Sequence, residues 1–377
     1  MPSAHLLPTT VQSRKYQQLN RFRVDIASST GLTSLNINAK MGICTKLGIC
    51  SFGLPIMNLD HNRLLVKVAR LYYEHDLTQN QIASQLRLSR QKVQRLLSQA
   101  KADGIVQITI HPITGAFDSL EKELAQCYGL REALVVESAA FEDQQAVARD
   151  VGAAAAQYLL RILQPRDSIV ISWGGSLLGM VNTFSANPSR PNFPGLSVIQ
   201  GLGGLGDPGH EVHAADLTRR LAQALGGTAV LLPAPAVAGS PAARDAILAD
   251  PFVQQSLEQA RSANLAVMGI GAPRQDSILM RAGQIVHWSE LQTLQQRGAV
   301  GDINLRYFDK YGQQIESDLD DRVIGLSLEE IHAIDIVVGV AGGAAKVPAI
   351  LGALRGNLIN VLVTDQQTAV SILASDE

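Results

Sequence analysis

The sequence has too few cysteines for a disulfide framework and shows no zinc-site pattern. Three cysteines occur in 377 residues, without a Cys-x-x-Cys pair: Cys44, Cys50 and Cys127. The histidines of the C-terminal half are scattered without the spacing of metal ligands: His210, His213, His287 and His332. We therefore expect a reducing, cytoplasmic setting, no bound metal and no other cofactor.

Long hydrophobic runs are also missing. Spanning a bilayer takes about 18 consecutive apolar residues, and the apolar stretch at residues 41–57 is interrupted by Lys46, three glycines and Pro55. This stretch lies too far from Met1 for a signal peptide, and no basic segment with a small-residue cleavage site stands at the usual place. The sequence predicts no membrane segment.

Residues 1–56 carry no sustained helix or strand period, because Ser, Thr, Asn and Gly are scattered through them. Two interpretations fit this segment. It is a disordered tail, or it is a non-native extension and translation begins at Met57, directly before the first strongly patterned helix.

The next segment predicts three short helices. From Asn62 to His75 the apolar residues recur on one helix face. Thr78 and Gln81 stand three apart and predict a capping box, with a second helix from near Gln79. After a turn of about three residues, Ser89 is a favourable N-cap for a third helix.

The third helix has an apolar face, formed by Val93, Leu96, Leu97 and Ala100, and a polar face. Arginine can bond guanine and glutamine can bond adenine in the major groove, whereas lysine suits phosphate contacts. Between Asp60 and Asp103 there are eight Lys and Arg against four Asp and Glu, although the whole chain has a net charge of −2. We predict a DNA-binding helix-turn-helix over 57–111; the alternative is a helical hairpin whose charges only solvate its surface. The predicted DNA contacts are Ser89, Arg90, Gln91, Lys92, Gln94 and Arg95.

From Phe117 onward, amphipathic helices alternate with short apolar strands, which is typical of a parallel sheet covered on both faces. Candidate helices cover Asp118 to Tyr128 and Gln144 to Leu163. The candidate strands are residues 133–136, 168–172, 196–200, 228–232, 265–269, 334–340 and 358–363. The sequence therefore predicts an α/β, doubly wound, mostly parallel domain over 112–377.

Several of these strands end in glycine, at Trp173–Ser176, Gly201–Gly206, Gly269–Gly271 and Ala341–Gly343. Glycines at strand ends let backbone N–H groups approach an anion, although glycine also simply makes turns there. A nucleotide-hydrolysing P-loop is not indicated, because no Gly-x-x-x-x-Gly-Lys-[Ser/Thr] occurs. The pattern favours a phosphorylated small molecule.

Two charged residues are candidates for the same crevice. Asp302 can accept sugar hydroxyls, and Lys346 can neutralise a phosphate. The alternative for each is an ordinary surface charge. An enzyme of sugar phosphates would need a paired acid and base; Asp302 could be a base, but the sequence shows no clear partner and no nucleophilic triad.

Six segments resemble the SorC/DeoR-type family of bacterial sugar-responsive transcription regulators, within a resemblance that covers over four fifths of the chain. They are Val68–Glu74, Leu77–Ala83, Leu88–Leu97, Gly298–Asp302, Val338–Gly343 and Leu362–Asp365. The resemblance implies a helix-turn-helix head and a sensor domain related to phosphosugar isomerases and deaminases, assembled as a homotetramer. It also implies that effector binding changes operator affinity.

The resemblance further implies the effector-binding residues. Trp173–Ser176, with Gly174, Gly175 and Ser176, matches a phosphate-binding loop; Gly203, Gly204 and Gly206 match a second effector loop; Asp302 and Lys346 match pocket-lining residues. Ala344 and Ala345 depart from the pattern, so local contacts to the ligand can differ. We expect a DNA-binding regulator controlled by a phosphorylated sugar, not an enzyme; the alternative is a phosphosugar isomerase or deaminase that carries a DNA-binding head.

Overall fold

The computed structural model describes residues 56–108, 117–138, 141, 143–186, 191–204, 214–275 and 286–375, together with a short strand at Val24–Asp25. The chain divides into two compact units, Met1–Pro112 and Ile113–Glu377. Apart from Val24–Asp25 and Ile56, the extension predicted at residues 1–56 lies outside the described residues. Within the described part, no helix is long and apolar enough to cross a membrane.

The first unit contains helices α1 (Ile56–Tyr73), α2 (Gln79–Leu86) and α3 (Arg90–Ala102). Its core joins all three, since Leu65 and Val68 of α1, Ile82 of α2 and Val93 of α3 are fully buried together. The apolar periodicity of the sequence thus describes the inner faces of these helices.

The alternating apolar and polar residues at 105–110 predict a strand, and two of the four that the structure describes are extended. Only β2 (Gln107–Ile108) is extended, and it pairs antiparallel with β1 (Val24–Asp25). Val106 instead packs into the helical core, and its N–H donates to the carbonyl of Ala100 at 3.0 Å. This bond follows the end of α3, and the strand begins only at Gln107. Thr109 and Ile110 lie outside the described residues.

The second unit is built on a sheet of seven parallel strands, which confirms the predicted α/β class. Each predicted strand overlaps one of the seven. They are β3 (Glu132–Val136), β4 (Ser168–Ile171), β5 (Ser197–Gln200), β6 (Thr228–Val230), β7 (Leu265–Gly269), β10 (Ile336–Val340) and β11 (Val361–Asp365). A separate antiparallel hairpin joins β8 (Gly301–Ile303) to β9 (Arg306–Phe308).

Helices flank this sheet. They are α4 (Asp118–Tyr128), α5 (Gln144–Ile162), α6 (Gly175–Ala186), α7 (Ala214–Leu225), α8 (Pro241–Leu248), α9 (Pro251–Arg261), α10 (Trp288–Gln296), α11 (Leu328–His332), α12 (Val347–Arg355) and α13 (Gln366–Ala374). Alternate strand residues supply two cores, since Ile169 and Ile171 enter one core and Val170 enters the other. The helix predicted at Asp118 to Tyr128 is confirmed residue for residue.

The strand order places a topological switch point at the centre of the sheet. The order is β3-β11-β10-β7-β4-β5-β6, so β4 and β7 are neighbours. From β4 the chain continues to β5 on one side, whereas from β7 it continues to β10 on the other. In open parallel sheets, ligands bind outside the carboxyl ends of the strands at such a point.

A third apolar cluster lies beyond these carboxyl ends. Trp173 and Leu202 directly follow β4 and β5, and they pack with Leu291 of α10, Tyr307 of the hairpin and Val323. The carboxyl ends of β4 and β5 therefore lead into this cluster.

Candidate effector site and nucleic-acid interface

The two helix starts predicted in the first unit are confirmed. Thr78 Oγ1 accepts from the N–H of Gln81 at 3.4 Å, and Gln81 Oε1 accepts from the N–H of Thr78 at 2.9 Å. Ser89 Oγ accepts from the N–H of Lys92 at 3.2 Å and caps α3. Between the helices the chain turns over three residues, 87–89.

The predicted DNA-contact residues all lie on the exposed side of this arrangement. The apolar face of α3 is buried, since Val93 and Ala100 are fully enclosed. The exposed residues are Ser89, Arg90, Gln91, Lys92, Gln94 and Arg95. The structure thus separates a packing face from a polar, basic face on one helix; DNA contact by these side chains stays a prediction.

The glycine loop after β4 opens helix α6 at the switch point. Gly174 has a φ of 133°, in a region that favours glycine, and α6 begins at Gly175. Among the described residues, none accepts a hydrogen bond from the N–H of Gly174, Gly175 or Ser176. Ser176 Oγ is also unpartnered, although the residue is only 3% exposed. Several donors therefore meet at a helix N-terminus, where the helix dipole favours an anion.

Asp302 is held next to Gly271, just after the end of the neighbouring strand β7, by its own backbone. Its N–H donates to the carbonyl of Gly271 at 3.1 Å, and its carbonyl accepts from the N–H of Gly271 at 2.9 Å. A Cβ atom at Gly271 would lie 2.1 Å from Asp302 Oδ1. Glycine at this position makes room for the carboxylate, a role that the sequence analysis did not assign to it.

Asp302 and Lys346, predicted for one crevice, influence each other electrostatically. Burial raises the pKa of Asp302 to about 6. The hydrogen bond from the N–H of Leu305 and the charge of Lys346 both lower this pKa, but by less than burial raises it. Burial lowers the pKa of Lys346 to about 8, against the charge of Asp302, which raises it. Each charge thus partly offsets the effect of burial on the pKa of the other group.

The loop that carries Lys346 is fixed by a buried acid that the sequence analysis noted only as part of a family segment. Asp365 is 1% exposed, and its Oδ2 accepts from the N–H of Gly343 at 2.8 Å and from Thr368 Oγ1 at 2.6 Å. On the other side, Gln144 Nε2 donates to the carbonyl of Gly342 at 2.9 Å. In the sequence, the available signal for this contact was an acidic residue at the end of one apolar strand and a glycine pair after the strand before it.

In the described part of the second predicted effector loop, the backbone N–H groups bond the protein itself. The N–H of Gly203 donates to the carbonyl of Ile324 at 3.0 Å, and the N–H of Gly204 donates to that of Ala234 at 2.8 Å. Both donors are thus occupied by the protein, and a Cβ at Gly203 would lie 2.3 Å from the carbonyl oxygen of Pro235. Gly206 lies outside the described residues.

Tyr307 is a further residue next to Asp302 that the sequence did not predict. It lies directly opposite Asp302 in the hairpin, so the two side chains share one face of it. The residue is 3% exposed. Burial, with the charges of Asp302 and Glu290, raises the pKa of its hydroxyl.

Comparison with known proteins places this geometry in a family. The family model of a sugar-binding domain, Sugar-bind, matches residues 111–374. The chain is also 32% identical over 317 residues to the deoxyribonucleoside regulator of Bacillus subtilis, covering 84% of this chain and 99% of that protein. The chain belongs to the SorC/DeoR-type family of sugar-binding transcriptional regulators.

Further members of the SorC/DeoR-type family agree in sequence and in structure. The sorbitol operon regulator of Klebsiella pneumoniae is 31% identical over 321 residues, covering 84% of this chain and 99% of that protein. The crystal structure of full-length SorC from the same organism superposes with a TM-score of 0.63, covering 83% of this chain and 99% of that one. The chain is thus a sugar-responsive transcriptional regulator, and the enzyme alternative is not favoured.

Proposed function

We propose that this regulator binds operator DNA through α2 and α3 and that a phosphorylated sugar, bound at the switch point of the sheet, controls its operator affinity. The observation that carries the proposal is that unpaired N–H donors at the start of α6, after β4, stand with Asp302 and Lys346 at the ends of three neighbouring strands, since Asp302 bonds Gly271 after β7 and Lys346 follows β10. We further propose that residues 57–111 form the DNA-binding domain and residues 112–377 the effector and oligomerisation domain, in a cytoplasmic protein.

The donors at the start of α6 suit a phosphate group. Phosphate oxygens accept hydrogen bonds and carry negative charge, and a helix N-terminus offers both donors and a positive dipole end. Gly174 leaves open space, since a Cβ there would meet nothing within 4 Å. Ser176 adds a buried hydroxyl that has no partner in the described part of the protein.

The pair Asp302 and Lys346 suits the hydroxylated part of the same ligand. An ionised Asp302 accepts hydroxyl hydrogen bonds, and a protonated Lys346 donates to ligand oxygens and offsets phosphate charge. With pKa values of about 6 and about 8, both groups are mostly charged near pH 7. The deoxyribonucleoside and sorbitol operon regulators are named for sugar-type compounds, which supports this ligand class.

The exposed face of α3 suits the major groove. Arg90, Gln91, Gln94 and Arg95 are residue types that bond base edges, and Lys92 suits a phosphate. One such helix reads too few base pairs for a unique genomic site, so we propose a dimer or tetramer on inverted half-sites of double-stranded DNA.

The proposal is tested by measuring operator binding in the presence of a panel of sugar phosphates. Sequence-specific DNA selected by the protein is titrated with and without each compound, and thermal unfolding identifies those that bind the native state. We expect at least one sugar phosphate to raise the melting temperature and to change the operator affinity. DNA binding that no sugar or sugar phosphate alters would contradict the proposal.

A binding role for Asp302 and Lys346, rather than a catalytic one, is tested on the same samples. An isomerase or deaminase would convert the bound compound, since a carboxylate and a lysine near neutral pKa can move protons. We expect the recovered sugar phosphate to be unchanged after long incubation, as judged by NMR. Turnover that Asp302→Asn abolishes would establish an enzyme.

A further inference from the structure

The turn between α2 and α3 contains a left-handed residue that is not glycine. Arg87 has a φ of 53° and a ψ of 44°, and its N–H donates to the carbonyl of Ser84 at 3.3 Å. The N–H of Leu88 donates to the carbonyl of Ala83 at 2.8 Å and completes the end of α2. Left-handed backbone carries a steric penalty for an L side chain that glycine escapes.

The side chain of Arg87 forms no ion pair or hydrogen bond with the described part of the protein. It is exposed, and no described carboxylate forms an ion pair with it. Residues 77–102 contain five Lys and Arg and no Asp or Glu. An arginine at this turn therefore adds backbone strain and one more positive charge to a basic segment, where glycine would add neither. Strain that persists in a fold is often found at functional positions.

The position of Arg87 suggests which anion would offset these costs. It stands two residues before Ser89, the N-cap of α3, and three residues before Arg90, a separation of at most about 11 Å. When the first turn of α3 enters a major groove, the residues just before it approach the phosphates that border the groove. A guanidinium binds phosphate with charged, bidentate hydrogen bonds.

We propose that Arg87 binds a backbone phosphate of DNA at the edge of the groove that α3 enters. The proposal rests on the proposed DNA binding of α2 and α3 and adds a residue outside the predicted contact set. As a phosphate contact, Arg87 strengthens binding to all DNA sequences alike and does not select bases.

The test compares Arg87→Gly, Arg87→Asn and Arg87→Lys in the full-length protein. Glycine and asparagine both tolerate the left-handed conformation, so these variants remove the charge without straining the turn. The matched control is Lys67→Ala, which removes one exposed positive charge from α1. Fluorescence anisotropy measures binding of a random-sequence DNA duplex and of the operator sequence selected by the protein, over a series of salt concentrations.

We expect Arg87→Gly and Arg87→Asn to bind the random duplex about tenfold more weakly at low salt. The slope of log affinity against log salt should fall by about one for each DNA-binding head. Their melting temperatures should equal or exceed that of the wild type, Arg87→Lys should keep part of the affinity, and Lys67→Ala should bind normally.

The result that would contradict the proposed function differs from the results that would contradict only the role of Arg87. A wild-type protein that binds no duplex at all would contradict the proposed function itself. Wild-type binding by Arg87→Gly, an equal loss in Lys67→Ala, or lower melting temperatures in both the glycine and asparagine variants would contradict only the role of Arg87. A loss confined to the operator sequence would show that Arg87 reads bases instead of binding phosphate.

Discussion

At the residue scale, the proposed effector site depends on one glycine that leaves space for a carboxylate. A Cβ at Gly271 would lie 2.1 Å from Oδ1 and 2.9 Å from Cγ of Asp302. These distances are far shorter than van der Waals contact, so the carboxylate would have to turn away from its place at the switch point.

We expect Gly271→Ala to weaken effector binding about tenfold, the effect of losing one hydrogen bond to a charged group. Operator binding without effector should stay normal, because the DNA-binding residues are untouched. The matched control is Gly239→Ala, whose Cβ would meet nothing within 4 Å. Calorimetric titration compares the two variants; equal affinities in both would show that the Asp302 carboxylate does not contact the effector.

The half-buried Lys346 predicts how effector affinity depends on pH. The pKa of Lys346 is lowered to about 8, so the ammonium is protonated below pH 8 and loses its charge as the pH rises through that value. Attraction for a phosphorylated ligand should therefore be full near pH 7 and decline above pH 8.

The measurement is the effector dissociation constant from pH 7 to pH 9.5, for the wild type and for Lys346→Met. The variant should bind more weakly and show no decline above pH 8. A wild-type affinity that stays constant over this range would contradict the role of Lys346.

At the scale of a single element, α3 should respond oppositely to changes on its two faces. Val93 is fully buried, so Val93→Ala should lower the free energy of unfolding of the first unit by about 2 kcal/mol. Gln91 and Arg95 are exposed, so their alanine variants should keep stability and lose about 1–3 kcal/mol of operator binding. Chemical denaturation and anisotropy measure the two effects; destabilisation by Gln91→Ala would place that residue in the fold rather than at DNA.

Local sequence patterns predicted the elements whose causes are local. The strands of the central sheet are short apolar runs, and the starts of α2 and α3 depend on Thr78, Gln81 and Ser89, which bond residues within one turn. The last strand begins three residues later than predicted, since Leu358 donates its N–H to Ala353 and closes α12 first.

The parts of the site that the sequence did not predict depend on residues far apart in the chain. Gly271 and Asp302 are joined only by the fold, as are Asp365 and Gly343. The β8–β9 hairpin, which places Tyr307 opposite Asp302, turns through Asn304 and Leu305 at φ values of 58° and 62°. Neither residue is glycine, so the usual sequence signal of a tight hairpin is missing.

At the scale of the whole molecule, the account requires more than one DNA-binding head per particle. We expect light scattering to give a dimer or tetramer, and footprinting to show two inverted half-sites separated by whole helical turns. A monomer that binds its operator with full affinity would contradict this expectation.

The proposed coupling between effector binding and operator binding is also a property of the whole molecule. An effector can change operator affinity only by the difference in its own affinity for the DNA-bound and free forms. Variants at the glycine loop, at Asp302 or at Lys346 should thus lose the response to effector while binding the operator normally in its absence.

The most direct test of the central claim is a calorimetric comparison of one sugar in its phosphorylated and dephosphorylated forms, using the compound that changes operator affinity. The account predicts binding of the phosphorylated form at least about tenfold tighter, because the unpaired donors at Gly174, Gly175 and Ser176 hold the phosphate. It also predicts that Gly175→Val removes this preference. Equal affinity for the two forms would contradict the claim that the start of α6 is a phosphate site.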